Sequence, residues 1–474
     1  MMSGTSMAAP TVAGAAALVF QDAYNGNTFL TPAQVAGILK RSAKDLGIRG
    51  VDSIYGWGLL NVAAALGPVG PTRVATGASV AASTARMDQS LLLPGAGMAR
   101  QSAFGGMLSG MVVFDDYGRG FVMKDSAFET AGSTLAEDAS AAALASVTAS
   151  REVAMEQDGM SLALTGFGDA GGDGFSGLSF TSEDLTVSAG LGNTQAFFTQ
   201  TGGAGGGGTG HRMGTQFFAG AGEIGQGFTE GGYLAAEARA GSVTYSALFL
   251  HGSEALSGAA FDPVLDQDAE APESQLMMLG AEMPLTDKAR LGIGYGVLRE
   301  TGAVLGMRSD GAFALGDDAS TQIVGASLSA ALMPGLELQG FAQLGLTEAA
   351  EAEDSVFSAL SDVWSAKMGL SLAASDTLRN GDSLTLSLVS PWRIVEGEAT
   401  ARVAVGREFD GTVNYETRSA SLAPGGLPLD LGLAYTGGTG DLRYSASLWL
   451  RDHDAADGAT VNEAAGALGL SWRF

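Results

Sequence analysis

Residues 383–388 read SLTLSL, with Leu384, Leu386 and Leu388 set between Ser383, Thr385 and Ser387. Successive side chains of a strand point to opposite faces, so this stretch puts leucine on one face and small hydroxyls on the other. The same period of two runs through Trp364, Ala366, Met368, Leu370 and Leu372. It returns in Leu429, Leu431, Leu433 and Tyr435, and again in Leu468, Leu470, Trp472 and Phe474. From Gly241 onward, about twelve segments of roughly ten residues carry it, the length of a tilted strand that crosses a bilayer. Short turns (TDKA, MPG, EFDG, GGTGD) alternate with longer polar loops such as TEAAEAEDSVFSALSD and DHDAADGATVNEA. An antiparallel up-and-down β-barrel, with tight turns on one rim and long loops on the other, has this rhythm. A soluble sandwich or solenoid is the competing architecture. The polar face of Gly, Ser and Ala, and the scarcity of proline, favour the barrel.

Composition narrows the classes further. The 474 residues include 71 glycines, with only 7% aromatic and 16% charged residues. That is too apolar for a disordered chain and too rich in glycine for a helical one. A formal charge of −26 would repel phosphates and excludes nucleic acid as the expected partner. With no cysteine there is neither a disulfide framework nor a thiolate metal site, and no cofactor is expected. The apolar run VAGAAALVF is about half of the roughly 20 residues a spanning helix needs. It also lacks the basic flank and cleavage site of a signal peptide. Contact with a membrane would therefore be made by strands or by a surface.

Ahead of the barrel the pattern differs. Residues 1–67 read as helical, with Val12, Ala15, Ala16 and Val19 at helical spacing after Thr5 and Ser6. LTPAQVAGILKRSAKDLG announces a second helix, with Thr31 as N-cap, Pro32 in the first position and Gly47 at the close. YGWGLLNVAAAL leads into a short third helix. Residues 68–240 are mixed. They hold, within ARMDQSLLLPGAGMARQSAFGGMLSGMVVFDDYGRGFVMK, a helix-like stretch followed by a short apolar strand, then an alanine-rich helix expected near 133–157, strand candidates GMSLALTGFG and DLTVSAGLG, and a glycine linker at 202–210. Residues 241–474 are the barrel segment.

Ser6, in GTSMAAP, stands at the mouth of the first helix. A serine there can be a simple N-cap. It can also be a nucleophile, because Gly4 admits a substrate backbone and the helix amides place partial positive charge where an oxyanion would form. Ala8, Ala9, Gly14 and Ala15 suit a helix packed inside a core. SGTSMAAPTVAGAAAL, followed after some forty residues by YGWGLLNVAAAL, resembles the C-terminal end of a subtilisin-like serine protease (subtilase) over about residues 2–67. The resemblance implies that Ser6 attacks the scissile carbonyl and that its own backbone N–H lines the oxyanion hole. In that family the aspartate, histidine and oxyanion asparagine precede the serine, and only five residues precede Ser6 here. His211, His251 and His453 all follow it, and His251 is expected at a barrel rim.

The C-terminal half, with SPWRIVEGEATARVAV and the closing LSWRF, is similar to the translocator barrels of autotransporters. There a secreted passenger, often a subtilase, precedes a barrel in the outer membrane of Gram-negative bacteria. The resemblance implies outer-membrane lipid and the barrel-insertion machinery as partners, the latter reading a terminal aromatic such as Phe474. It also implies peptide or protein substrates for a complete protease, and a helix through the pore, for which the stretch near 133–157 is the candidate. The expected function is thus a serine endopeptidase acting through Ser6, represented by a C-terminal portion that is inactive alone, with its protease part exported. The alternative is an outer-membrane translocator or pore with a vestigial protease segment. Three further features read as structural. The acidic run DPVLDQDAEAPES lacks calcium-loop spacing, Asp115, Asp116 and Arg119 form a turn, and Trp392 and Arg393 belong to a rim girdle.

Overall fold

Fifteen strands, from Arg151–Gln157 to Thr460–Trp472, form one antiparallel sheet among the described residues. The computed structural model describes residues 4–82, 84–93, 101–123, 151–167, 175–192, 230–253, 273–352, 354–423, 429–439, 442–454 and 460–472. Neighbours in the sheet are neighbours in sequence, apart from three excursions, at 302–317, 350–362 and 397–428. The connections alternate between short and long along the whole sheet. Asp158 and Gly159, at φ 50° and 76°, make the first tight turn. Both residues need left-handed backbone, which is why an Asp-Gly pair occurs there. The edge strands Arg151–Gln157 and Thr460–Trp472 do not pair with each other among the described residues, and the sheet is open between them.

The period of two is realised as burial. In Glu273–Thr286, Leu276 and Met278 are fully buried, whereas Met277 and Leu279 are 50% and 51% exposed. Leu248 and Leu250 face inward likewise, while Phe249 between them faces out. Two expectations need correction. Ten strands of the sheet, not about twelve, lie within 241–474 among the described residues. The stretch around EATARVAV leaves the main sheet as a hairpin, Glu398–Arg407 with Val413–Ser421, which pairs with Phe357–Leu360. EFDG is the tip of this hairpin. Alternation marks a strand with one covered face, whatever covers it, and here Ala399, Ala401 and Val403 face protein core. The expected helix near 133–157 is a strand over Arg151–Gln157, because pairing with Met160–Phe167 overrides alanine's helical preference; its earlier part lies outside the described residues.

The first 67 residues fold as helices α1 (Thr5–Asn25), α2 (Pro32–Arg41) and α3 (Val62–Leu66). Ala15, Val19 and Ala23 of α1 pack on Val35, Ile38 and Leu39 of α2 and Ala65 of α3. Thr31 caps α2 in a reciprocal box. Its side chain accepts from the Gln34 N–H, and the Gln34 side chain accepts from the Thr31 N–H at 2.8 Å. α2 ends at Arg41, well before Gly47, because Lys44 exchanges backbone hydrogen bonds of 2.8 and 2.9 Å with Leu59 and so turns extended. Gly37 faces the Tyr117 hydroxyl, which a Cβ would approach to 2.8 Å.

Residues 68–123 lie between the helices and the main sheet in sequence. Strands Thr84–Arg86, Arg73–Ala75, Val112–Phe114 and Gly120–Val122 form a four-stranded antiparallel sheet, with α4 (Gln101–Leu108) beside it. As expected, Asp115 and Arg119 close a turn, and the structure adds a role for it. The buried Asp115 carboxylate accepts from Arg119 Nη2 at 2.8 Å, Arg119 Nε at 3.0 Å and the Val69 N–H at 3.2 Å. The Arg119 guanidinium also donates to the carbonyls of Ala65 at 2.7 Å and Gly67 at 2.8 Å, at the C-terminus of α3. Asn27 donates to the Arg407 carbonyl at 2.7 Å, and Phe29 stacks on Phe409 with centroids 4.5 Å apart, fixing the helices to the 398–421 hairpin.

Two outcomes follow from these contacts. Arg119→Ala strands a buried carboxylate and lowers the stability of the helical unit by about 3–5 kcal/mol, read by amide hydrogen exchange over residues 62–69 in increasing urea. Thr31→Ala costs about 1 kcal/mol and shows as faster exchange confined to the first turn of α2.

Candidate catalytic serine

Ser6 is the second residue of α1, and Gly4 ahead of the helix has φ 141°. That left-handed geometry is open to glycine and turns the chain sharply into the helix. The Gly4 carbonyl accepts from the N–H groups of Met7 at 3.0 Å and Ala8 at 3.2 Å. The amides of Thr5 and Ser6, in the first turn, have no carbonyl within the helix to bond. They form the positive end of the helix dipole, beside the Ser6 hydroxyl. Among the described residues Ser6 Oγ makes no hydrogen bond and the residue is exposed. Ser6 is therefore not acting as the side-chain cap of α1, whose N-terminus has none.

Pro10 shapes the other side of this turn. It stands four residues after Ser6 within α1 and has no N–H, so the Ser6 carbonyl receives no helical hydrogen bond from it.

The first half of α1 differs from its expected packing. Ala8, Ala9 and Gly14 are exposed, and burial begins at Ala15. Met7, Val12, Leu18 and Tyr24 are likewise exposed. α1 is therefore buried on one side only, from Ala15 onward.

No base stands with Ser6 in the described structure. His251 lies near the end of strand Val243–Ser253, at the rim as expected, and pairs in register with Gly232 and Gln275. His453 lies in Leu442–Asp454. His211, Phe474, the glycine linker and most of the acidic run lie outside the described residues. Among the described residues no group of His, Asp and Glu could hold a metal ion. Charges near the helical unit serve structure. The Arg41 guanidinium is held further above its ordinary range by its hydrogen bond to Asp116, 2.7 Å away. N–H donors from Tyr55 and Ile54 pull the Asp52 carboxyl below its usual value. Trp392 is not a girdle residue: it is 2% exposed, turned inward and part of the main core. Its inward placement follows from a shifted register between Val363–Ser375 and Ser383–Glu396, which a strict count of two does not reveal.

Residues 1–58 match the subtilase family. Over 60 residues the chain is 42% identical to an extracellular serine protease of Serratia marcescens, covering 13% of this chain and 5% of that protein. Over 70 residues it is 40% identical to serotype-specific antigen 1 of Mannheimia haemolytica, covering 15% of this chain and 7% of the relative. The chain thus spans only 5–7% of the length of these curated relatives. Among solved structures, the trimeric outer-membrane protein OmpT of Vibrio cholerae aligns over 69% of this chain and 96% of its own, with TM-score 0.34 and 9% identity. The translocator domain of the autotransporter NalP from Neisseria meningitidis aligns over 69% and 85%, with TM-score 0.21 and 14% identity. The serine at the mouth of α1 therefore sits in a subtilase-like segment, on a chain whose structural neighbours are outer-membrane β-barrels.

Proposed function

We propose that this chain couples the serine-bearing end of a subtilisin-like endopeptidase to a β-barrel of autotransporter type in the outer membrane of a Gram-negative bacterium. The observation that carries the membrane half is the outward face of the sheet. Leu164, Leu178, Leu234, Met277, Leu344, Leu370, Leu433 and Leu470 all point away from the protein and are 43–71% exposed. They come from strands right across the sheet, so the apolar surface is continuous. A soluble monomer seldom presents a patch beyond a few hundred Å²; hydrocarbon covers such a belt at no loss. Trp364 and Tyr245, exposed toward opposite rims, match interfacial girdles. In lipid an open sheet edge is costly, because its N–H and C=O groups have no water, so the edges close on one another.

The protease half rests on Ser6. In a complete site its Oγ would attack the scissile carbonyl while a histidine takes the proton, and the amides at the mouth of α1 would hold the oxyanion. The exported peptidase portion would act on peptide or protein substrates, and the barrel-insertion machinery would seat the barrel. A serine hydroxyl without a base is a poor nucleophile. The present chain, with no such base beside Ser6 among the described residues, is expected to turn over no peptide.

Three measurements test these readings. The refolded chain should migrate differently on gels before and after boiling; a species that stays monomeric and dispersed in water without detergent contradicts the barrel. The purified chain should hydrolyse no peptide, with Ser6→Ala indistinguishable from it; cleavage lost in Ser6→Ala contradicts the need for an added base. A chimaera tests the serine itself. The 60 matching residues of the Serratia protease are exchanged for those of this chain, and hydrolysis should persist. Ser6→Ala in the chimaera should lower kcat by about 10⁶; a folded chimaera with no activity before that change would set the serine reading aside.

A further inference from the structure

The inward face of the sheet is divided into two zones. Toward the short turns it is polar or bare, with Thr244, Ser246, Gly292 and Ser327 facing in. This suits a hydrated lumen. Toward the long connections the strands between Val243 and Thr301 turn apolar, with Leu248, Leu250, Leu276, Met278 and Leu298 all 1% exposed or less, while the strands from Asp318 to Ser375 keep Thr321, Thr347, Ser365 and Lys367 buried there. A patch of leucine and methionine at the mouth of a watery lumen is unstable unless something covers it.

What covers it is on the same chain. Phe104 and Leu108 of α4, with Met111 and Val113 after it, belong to one continuous core with these strand residues. From the other side the loop at 302–317 folds inward, so that Leu305 and Phe313 enter the same core. Leu305 has φ 51°, a conformation that a leucine seldom adopts. The buried Glu300 carboxylate holds it there by accepting from the N–H groups of Leu305 and Gly306, both at 2.7 Å. Cap and loop are stitched together, since Leu91–Leu93 pairs with Met307–Asp310 and the Ala312 N–H donates to Ser90 Oγ at 3.0 Å. The 398–421 hairpin clamps α4, with Arg418 Nη1 donating to the carbonyls of Met107 at 3.1 Å and Ser109 at 2.5 Å.

We propose that residues 101–113, together with the inturned 302–317 loop, seal the lumen at its long-loop mouth, so that the barrel in its resting state is closed to solutes. The seal rests on the membrane-barrel reading above. It requires the strand patch and the cap to be complementary, and both are apolar where they meet. The polar lumen then opens toward the short turns alone, and the helical unit rides on a closed lid.

The test reconstitutes the full chain in planar bilayers of phosphatidylethanolamine and phosphatidylglycerol. The chain itself should insert without a sustained open conductance, and Leu108→Asp combined with Met111→Asp should conduct steadily. Because the chain has no cysteine, Leu276→Cys supplies a unique thiol reporter in vesicles. That thiol should react with a water-soluble maleimide at least about ten times more slowly than it does when the two aspartates are added. Sustained conductance and rapid labelling at position 276 without the aspartates overturn the seal and leave the barrel intact. A double variant that inserts but stays shut, with position 276 still protected, removes residues 101–113 from the role. Failure of the unsubstituted chain to insert overturns the barrel reading, and the seal with it. Should only the double variant fail to insert, the conductance of the unsubstituted chain and the labelling of Leu276→Cys alone still decide.

Discussion

A strand shows one face to each side, and in this molecule both faces carry apolar residues for different reasons. Outward, leucine and methionine repeat at every second position without protein over them. Inward, the same residue types appear only near the long connections, where α4 and its neighbours cover them. Everything else follows from satisfying these two surfaces separately, the inner one by protein and, on the function proposed above, the outer one by lipid. The polar remainder of the inner face is left for water.

The helical unit depends on this arrangement through few but well-buried links. Arg119 and Asp115 neutralise one another where neither meets water, and Arg119 directs its remaining donors to the end of α3. An ion pair of this kind contributes little net stability against an apolar replacement, yet its geometry admits a single docking pose. The Phe29–Phe409 stack and the Asn27 hydrogen bond add a second point of attachment on the hairpin. Two attachments set the direction of α1, and hence where Ser6 lies relative to the main sheet.

Much of this was legible in the residues themselves. Alternation around Ser383–Leu388 and Leu429–Tyr435 marks strands because period two is geometric. Thr31, Pro32 and Gln34 mark the start of α2 because capping chemistry is local. What escaped was non-local. EATARVAV alternates like a barrel strand, and only its pairing with Phe357–Leu360 takes it out of the main sheet. Residues 151–157 look helical by composition, and only the hairpin at Asp158–Gly159 makes them a strand. The apolar mouth was hidden too, since Leu248 and Leu276 read like any other inward residue until α4 is placed against them. At Ser6 the sequence motif carried more than the geometry does, because a hydroxyl at a helix mouth is common and no base stands beside it among the described residues.

The most direct test of the central claim follows one strand through its surroundings. Spin labels placed singly at residues 276–279 of the reconstituted protein should alternate, with 277 and 279 accessible to oxygen and shielded from a water-soluble nickel relaxant, and 276 and 278 shielded from both. Strong relaxation by nickel at 277 and 279, with oxygen no more effective there than at their neighbours, would mean that water and not lipid covers the outer face.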